Sequence, residues 1–137
     1  MNEHLFEVIE KVVEAKTKKD KVGLLKTNET WALKDLLMGT YNDKIVFNLP
    51  GGEPPYTPNV PQSVPSSFLK LHKNLKFFVK GGPGDKMPSY QRESKFIQML
   101  ESIHPADAML VIDMINKKPI KGITKAIATE TFPEVFA

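Results

Sequence analysis

Residues 68–86 read Phe68-Leu69-Lys70-Leu71-His72-Lys73-Asn74-Leu75-Lys76-Phe77-Phe78-Val79-Lys80-Gly81-Gly82-Pro83-Gly84-Asp85-Lys86, and the period of this stretch sets the fold class. At about 100° per residue, Lys70, Lys73, Lys76 and Lys80 fall within an arc of about 120°. Phe68, Leu71, Leu75, Phe78 and Val79 fill an arc of similar width facing away. The spacing predicts one helix from about Ser66 to Lys80, with a core face and a cationic face. No carboxylate interrupts the lysines until Asp85, so the stripe fits either a solvated helix face or a surface for phosphate. The glycine-rich end at Gly81 to Gly84 lacks the Gly-Lys-Ser/Thr ending of a nucleotide-binding loop and follows a helix, which predicts a tight turn. Its alternative reading lets backbone amides approach a phosphate between Lys80 and Lys86.

Outward from this stretch the chain reads as helix after helix. Apolar Leu5, Phe6, Ile9, Val12 and Val13 share one side of a helix from Glu3 to about Lys16. Thr17 with Asp20 three residues on forms a capping signal for a second, through Leu25. A third runs from about Glu29 to Thr40 with Trp31, Leu33, Leu36 and Leu37 as its apolar surface. Lys44 to Leu49 alternates as a short strand would, and equally fits another helical turn. Six prolines between Pro50 and Pro65, with Gly51-Gly52, exclude helix and central strand there and predict an exposed connection. A helix from about Ser89 to Ile103 aligns Phe96, Met99, Leu100 and Ile103. His104-Pro105 marks a new start, since proline fits the first helical position, and His104 is expected as its cap. That helix, to about Asn116, carries Met109-Leu110-Val111-Ile112 and should be largely buried. A last helix from Ile123 to Thr131 stops before Phe132-Pro133. The expected fold class is all-α: a compact orthogonal bundle of about six to seven helices, one domain over residues 1–137.

Composition narrows the function classes. A chain of 137 residues with 41% hydrophobic and 26% charged residues suits one globular domain. The absence of cysteine excludes disulfides, thiolate metal sites and cysteine nucleophiles. The longest apolar run, Ala108 to Ile112, is too short to span a bilayer, and the acidic start is unlike a signal peptide, so a cytosolic protein is expected. Residues 1–68 carry 8 basic and 9 acidic side chains and residues 69–137 carry 11 and 7, so the net charge of +3 divides as −1 and +4. A basic second half favours a polyanionic partner.

No catalytic constellation is apparent. His4, His72 and His104 are scattered in sequence. Asp107 and Asp113 lie on different faces of one helix, and metal-ligand spacing is absent, so no enzyme activity, metal or cofactor is expected. A second cationic cluster, Lys117, Lys118, Lys121 and Lys125, surrounds the start of the last helix. Free amides at Gly122, Ile123 and Thr124 would there face an anion, with the Thr124 hydroxyl as a further donor. The other reading of this cluster is a solvated loop. Phe77 and Tyr90 flank the first cluster, as core residues or as stacking surfaces.

Two resemblances bear on these sites. Leu33-Lys34, Thr40-Tyr41, Ile45 and Phe47, followed by Gly122, Ile127-Ala128 and Phe132-Pro133, resemble elements of the N-terminal DNA-binding domain of phage-type ATP-dependent DNA ligases. The likeness follows the helix order over most of the chain. Phe47-Asn48-Leu49-Pro50, Lys80-Gly81-Gly82-Pro83-Gly84-Asp85 and Gly122-Ile123-Thr124-Lys125 are similar to a family of small proteins, without known activity, of tailed phages that infect marine cyanobacteria. The ligase resemblance implies an all-helical domain that grips duplex DNA from the minor-groove side through phosphates. The nucleotidyl-transfer motif Lys-x-Asp-Gly is missing, so ligation is not implied. The expectation is a stand-alone, non-catalytic protein binding duplex or nicked DNA nonspecifically. Its phosphate contacts are expected from Lys70, Lys73, Lys76, Lys80, Lys86, Lys117, Lys118, Lys121, Gly122, Thr124 and Lys125. The alternative is an adaptor for a phage replication or transcription protein or a host factor. The DNA reading expects the two lysine clusters, distant in sequence, to converge on one surface, and loses most of its force if they diverge.

Overall fold

The computed structural model describes residues 4–49, 52, 54–58 and 68–136. Seven α-helices occur among them: α1 Leu5–Glu14, α2 Lys18–Thr27, α3 Trp31–Tyr41, α4 Phe68–Leu71, α5 Ser89–Leu100, α6 Pro105–Ile115 and α7 Lys125–Thr131. Short 3-10 helices span His72–Phe78, Pro83–Lys86 and Pro133–Val135. The fold is an all-α, compact helical bundle.

Local signals place most helix starts. The hydroxyls of Thr17, Thr30 and Thr124 accept hydrogen bonds from the amides of Asp20, Leu33 and Ile127, the third residue of each helix. His104 Nδ1 accepts from the Ala106 amide at 3.0 Å with Pro105 in the first helical position, which bears out its reading as a cap. The helix α1 is amphipathic, with Leu5, Val8, Ile9 and Val12 buried on one stripe.

The central element is α3, which packs on α6 and buries residues on every side, including Lys34, Gly39 and Thr40. Gly39 keeps this contact close: a Cβ would lie 2.5 Å from Met114 Sδ and 3.0 Å from the Phe47 ring, so those side chains would have to shift. Lys34 is accommodated in this buried position by Glu29 at 3.2 Å and Glu134 at 3.4 Å, and its ammonium lies over the Trp31 ring. The helix α2 packs against α1 and α7. Leu25, Leu33, Leu36, Leu100, Ile103, Met114, Ile123 and Phe132 converge in one core.

Four expectations are corrected. The lysine helix keeps α geometry only over Phe68–Leu71 and then tightens to a 3-10 helix. Its pattern is compatible with the tighter turn: Lys73 and Lys76 are three apart, as are His72, Leu75 and Phe78, and about 3.0 residues per turn aligns both sets. Met109 is 44% exposed, so the apolar run of α6 is buried at Val111 and Ile112 but not throughout. The last helix begins at Lys125 and not at Ile123, because Thr124 is its N-cap, with extended backbone (φ −94°, ψ 164°) and its hydroxyl on the Ile127 amide. His4 and His104, far apart in sequence, have ring centroids 5.3 Å apart where the N-termini of α1 and α6 meet.

The stretch Lys44–Leu49 is irregular chain with one antiparallel bridge, Phe47 to Val79. The Lys80 amide donates to Val46 O at 2.7 Å and the Asn48 amide to Phe78 O at 2.8 Å, so this strip is tied to the lysine-bearing segment. Most of the predicted connection at 50–65 lies outside the described residues, and its described part, 52 and 54–58, is irregular. No helix among the described residues is long and apolar enough to cross a membrane.

Candidate nucleic-acid interface

The strip Lys44–Asn48 runs between two concavities. On one side Asp35, Met38, Gly39, His72, Lys73, Leu75, Lys76 and Val79 line a cavity of about 330 Å³, and Ile45 and Phe47 form its remaining wall. On the other side Thr40, Tyr41, Asp43, Ile115, Lys117, Pro119 and Lys125 line a second cavity, again with Ile45 and Phe47. The same two apolar side chains therefore stand between Lys73 and Lys76 on one side and Lys117 and Lys125 on the other, about forty residues or more away in the chain.

The individual lysines differ. Lys73, Lys76, Lys80 and Lys86 are exposed, as are Lys118 and Lys121, and none of the six forms an ion pair among the described residues. The Lys70 side chain lies outside the described residues. Lys76 Nζ sits 5.3 Å from the Phe77 ring centroid and Lys95 Nζ 4.8 Å from it, so Lys95 joins the first cluster. Lys95 carries no sequence signal for this role, because it belongs to α5 and reaches the cluster only through packing.

Lys117 serves the fold instead. It occupies the left-handed position after α6, with φ 57°, and its amide bonds to Met114 O while that of Lys118 bonds to Asp113 O. Those two bonds close the carbonyl end of α6 in the Schellman arrangement. Its ammonium donates to Gly39 O at 2.6 Å and Asn42 O at 3.1 Å, at the carbonyl end of α3, and lies 5.2 Å from the Phe47 ring centroid. Burial lowers its pKa, opposed by the Asp43 charge.

Lys125 is held by Asp43 at 3.1 Å. Thr124 Oγ1 accepts from the Ile127 amide at 3.2 Å, and the Ile123 amide donates to Ile120 O at 3.0 Å. The expected row of free amides is thus already engaged at Ile123, and the Thr124 hydroxyl is a helix cap. Gly122 takes its left-handed conformation where the loop passes α1: a Cβ would lie 3.1 Å from Val13 Cγ1. Its carbonyl accepts from Lys21 Nζ at 2.6 Å. Tyr41 fastens the same loop, accepting from the Ile120 amide at 2.9 Å and donating to Ile123 O.

The loop Gly81 to Lys86 is a self-satisfied turn. Asp85 Oδ2 accepts from the Gly81 amide at 2.6 Å and Oδ1 from Asn48 Nδ2 at 3.1 Å, filling with its own carboxylate the place an anion would take. The Asn48 and Gly81 hydrogen bonds lower the Asp85 pKa. Arg92 braces the turn from α5 by donating to Gly84 O and Met87 O. The cationic surface is accordingly made of side chains, with the loop as their support.

One pair escaped the sequence reading. His72 Nδ1 lies 2.5 Å from Asp35 Oδ2 in the wall of the first cavity, thirty-seven positions apart in the chain. Burial raises the Asp35 pKa, with the His72 hydrogen bond opposing it. Asp107, 1% exposed, accepts from the Phe6 amide at 2.8 Å and lies 3.7 Å from His4 Nδ1. Among the described residues no group of three or more such side chains could hold a metal ion.

Fold and surface together define an all-helical domain that presents side-chain cations around an apolar divide. The chain belongs to a family of unknown function, DUF6433, which matches it over residues 8–121. That span takes in the whole lining of the first cavity and all of the second except Lys125. No curated protein and no solved structure matches the chain.

Proposed function

We propose that this protein is a non-catalytic DNA-binding protein, acting in the cytoplasm of a phage-infected host, that holds duplex or nicked DNA through its phosphates without reading sequence. The observation that supports this reading is that Lys73 and Lys76 of one cluster and Lys117 and Lys125 of the other line two cavities that share Ile45 and Phe47. Lys73 and Lys76 at the first cavity, with Lys80, Lys86, Lys118 and Lys121 elsewhere in the two clusters, are six exposed ammonium groups without ion pairs among the described residues. Phosphate contacts of this kind position a protein on DNA and give affinity without sequence preference. The resemblance of Leu33-Lys34, Ile45, Phe47 and the Gly122 to Pro133 elements to a ligase DNA-binding domain supports the same reading.

Fluorescence anisotropy of a labelled duplex, titrated across salt, tests it. Four to six phosphate contacts give a slope of log K against log salt of roughly −4 to −5. The double reversals Lys73→Glu with Lys76→Glu, and Lys118→Glu with Lys121→Glu, should each weaken binding equally on unrelated sequences. A slope near zero refutes the proposal.

The second reading is an adaptor, favoured by Trp31, which is 67% exposed on α3. Large exposed aromatics are frequent anchors at protein interfaces. Recovery of one protein partner from infected cells that survives nuclease treatment and is lost with Trp31→Ala would support it over DNA binding.

A further inference from the structure

The first cavity has a composition that phosphate binding alone does not use. Met38, Ile45, Phe47, Leu75 and Val79 supply an apolar interior, and its volume of about 330 Å³ falls at the small end of the range for ligand sites. His72 and Asp35 supply a polar wall, joined at 2.5 Å. The hydrogen bond between His72 Nδ1 and Asp35 Oδ2 occupies one ring nitrogen and leaves Nε2 as the ring's second polar atom. Lys73 and Lys76 stand beside this opening, exposed. In a 3-10 helix residues three apart eclipse one another with a rise of about 6 Å, so the two ammonium groups form a short cationic row.

We infer that this cavity receives the base of an unpaired nucleotide while Lys73 and Lys76 hold the adjoining phosphate. The inference rests on the DNA reading above and specifies the DNA form. Three features select this ligand. The lysines require an anion at the mouth. The Phe47 and His72 rings and the Met38 thioether offer flat or polarisable surface to a heterocycle. The third is the His72–Asp35 wall: an alkyl chain or an aliphatic side chain would strip water from these two groups and return no hydrogen bond, which is unfavourable. A nucleobase has a polar edge carrying both donors and acceptors, which can return hydrogen bonds to this wall. The base must be unpaired, because a stacked and paired base cannot enter a cavity in the protein; a bulge, a gap or a frayed nick supplies one.

The test compares two labelled duplexes, one fully paired and one carrying a single unpaired 2-aminopurine. The native protein should bind the bulged duplex roughly tenfold tighter, within the range one stacked base contributes, and the 2-aminopurine emission should change on binding. Val79→Phe, which fills the cavity from the lysine segment, should abolish the preference and leave paired-duplex affinity within about twofold. Met38→Phe fills it from α3 and covers the case in which the first variant fails to fold, as judged by its thermal melt. Equal affinity for both duplexes with the steep salt slope retained overturns the base site and leaves the phosphate reading standing. Absence of binding to either duplex overturns both. A preference that survives both filling variants also overturns the assignment to this cavity.

Discussion

Lys117→Met separates the lysines that hold the fold from those that face a partner. In sequence Lys117 is indistinguishable from Lys118 and Lys121, yet its ammonium spans from the end of α6 to the carbonyls of Gly39 and Asn42. Hydrogen bonds with a charged partner contribute about 1.5–3 kcal/mol, and the contact with the Phe47 ring about 0.5–1 kcal/mol. Against this, methionine retains most of the apolar stem and relieves the burial cost that lowers the lysine pKa. The net loss works out at about 2 kcal/mol. For a chain of this length each 1 kcal/mol moves Tm by about 3–5 °C, so the variant should melt about 6–10 °C below the native protein. Lys118→Met and Lys121→Met, both at exposed positions, should stay within about 0.5 kcal/mol of native stability. Differential scanning calorimetry at neutral pH reads all three. Equal melting temperatures across the set would refute the reasoning and return Lys117 to the binding surface.

Three further outcomes follow from named contacts. Thr124→Ala should cost about 1 kcal/mol by uncapping α7, measured by urea unfolding, and leave duplex affinity within about twofold; a larger loss of affinity would restore the hydroxyl as a phosphate donor. Gly84→Ala places a Cβ 1.8 Å from the Phe77 carbonyl oxygen. Backbone cannot swing away as a side chain does, so the turn must shift, at a cost of about 3 kcal/mol in a chemical-denaturation experiment; native stability would refute the packing. Burial raises the Asp107 pKa, opposed by the Phe6 amide and the His4 and His104 charges. A carboxyl of this kind contributes stability that is complete below its ordinary value of 3.8 and is lost as pH rises through its folded value. Asp107→Asn removes that dependence and keeps an acceptor for the Phe6 amide. The urea midpoint of the variant should therefore rise relative to native between about pH 4 and about pH 7, and a difference that is flat or falls would contradict the assignment.

The helical class and the order of helices were legible because the signals are local. Thr17 caps the Asp20 amide three residues away, and His104-Pro105 opens α6 within two residues, whereas the caps at Thr30 and Thr124 set helix starts about two residues later than the period suggested. Hydrophobic period placed Leu5, Ile9 and Val12 of the α1 stripe, though it took Phe6 and Val13 in place of Val8, and it placed the inward residues Leu75, Phe78, Phe96 and Ile112. Each of these depends on neighbours within about two helical turns, so the amino-acid order alone determined it. The identity of the lysine segment as 3-10 was missed because a three-residue repeat is compatible with both helix types until tertiary packing selects one.

What each charge does was decided only by the tertiary structure. Lys73 and Lys117 look alike in sequence; one faces solvent beside a cavity, and the other ends on the carbonyls of a helix seventy-five or more positions away. Asp35 meets His72 and Asp107 meets the Phe6 amide across separations that no periodicity encodes. The position of Ile45 and Phe47 between the cavity of Lys73 and Lys76 and that of Lys117 and Lys125 is of the same kind. A charge has a long-range partner only after the core has closed, so the sequence determined which residues are cationic and the packing of α3 against α6 decided which of them are left facing outward.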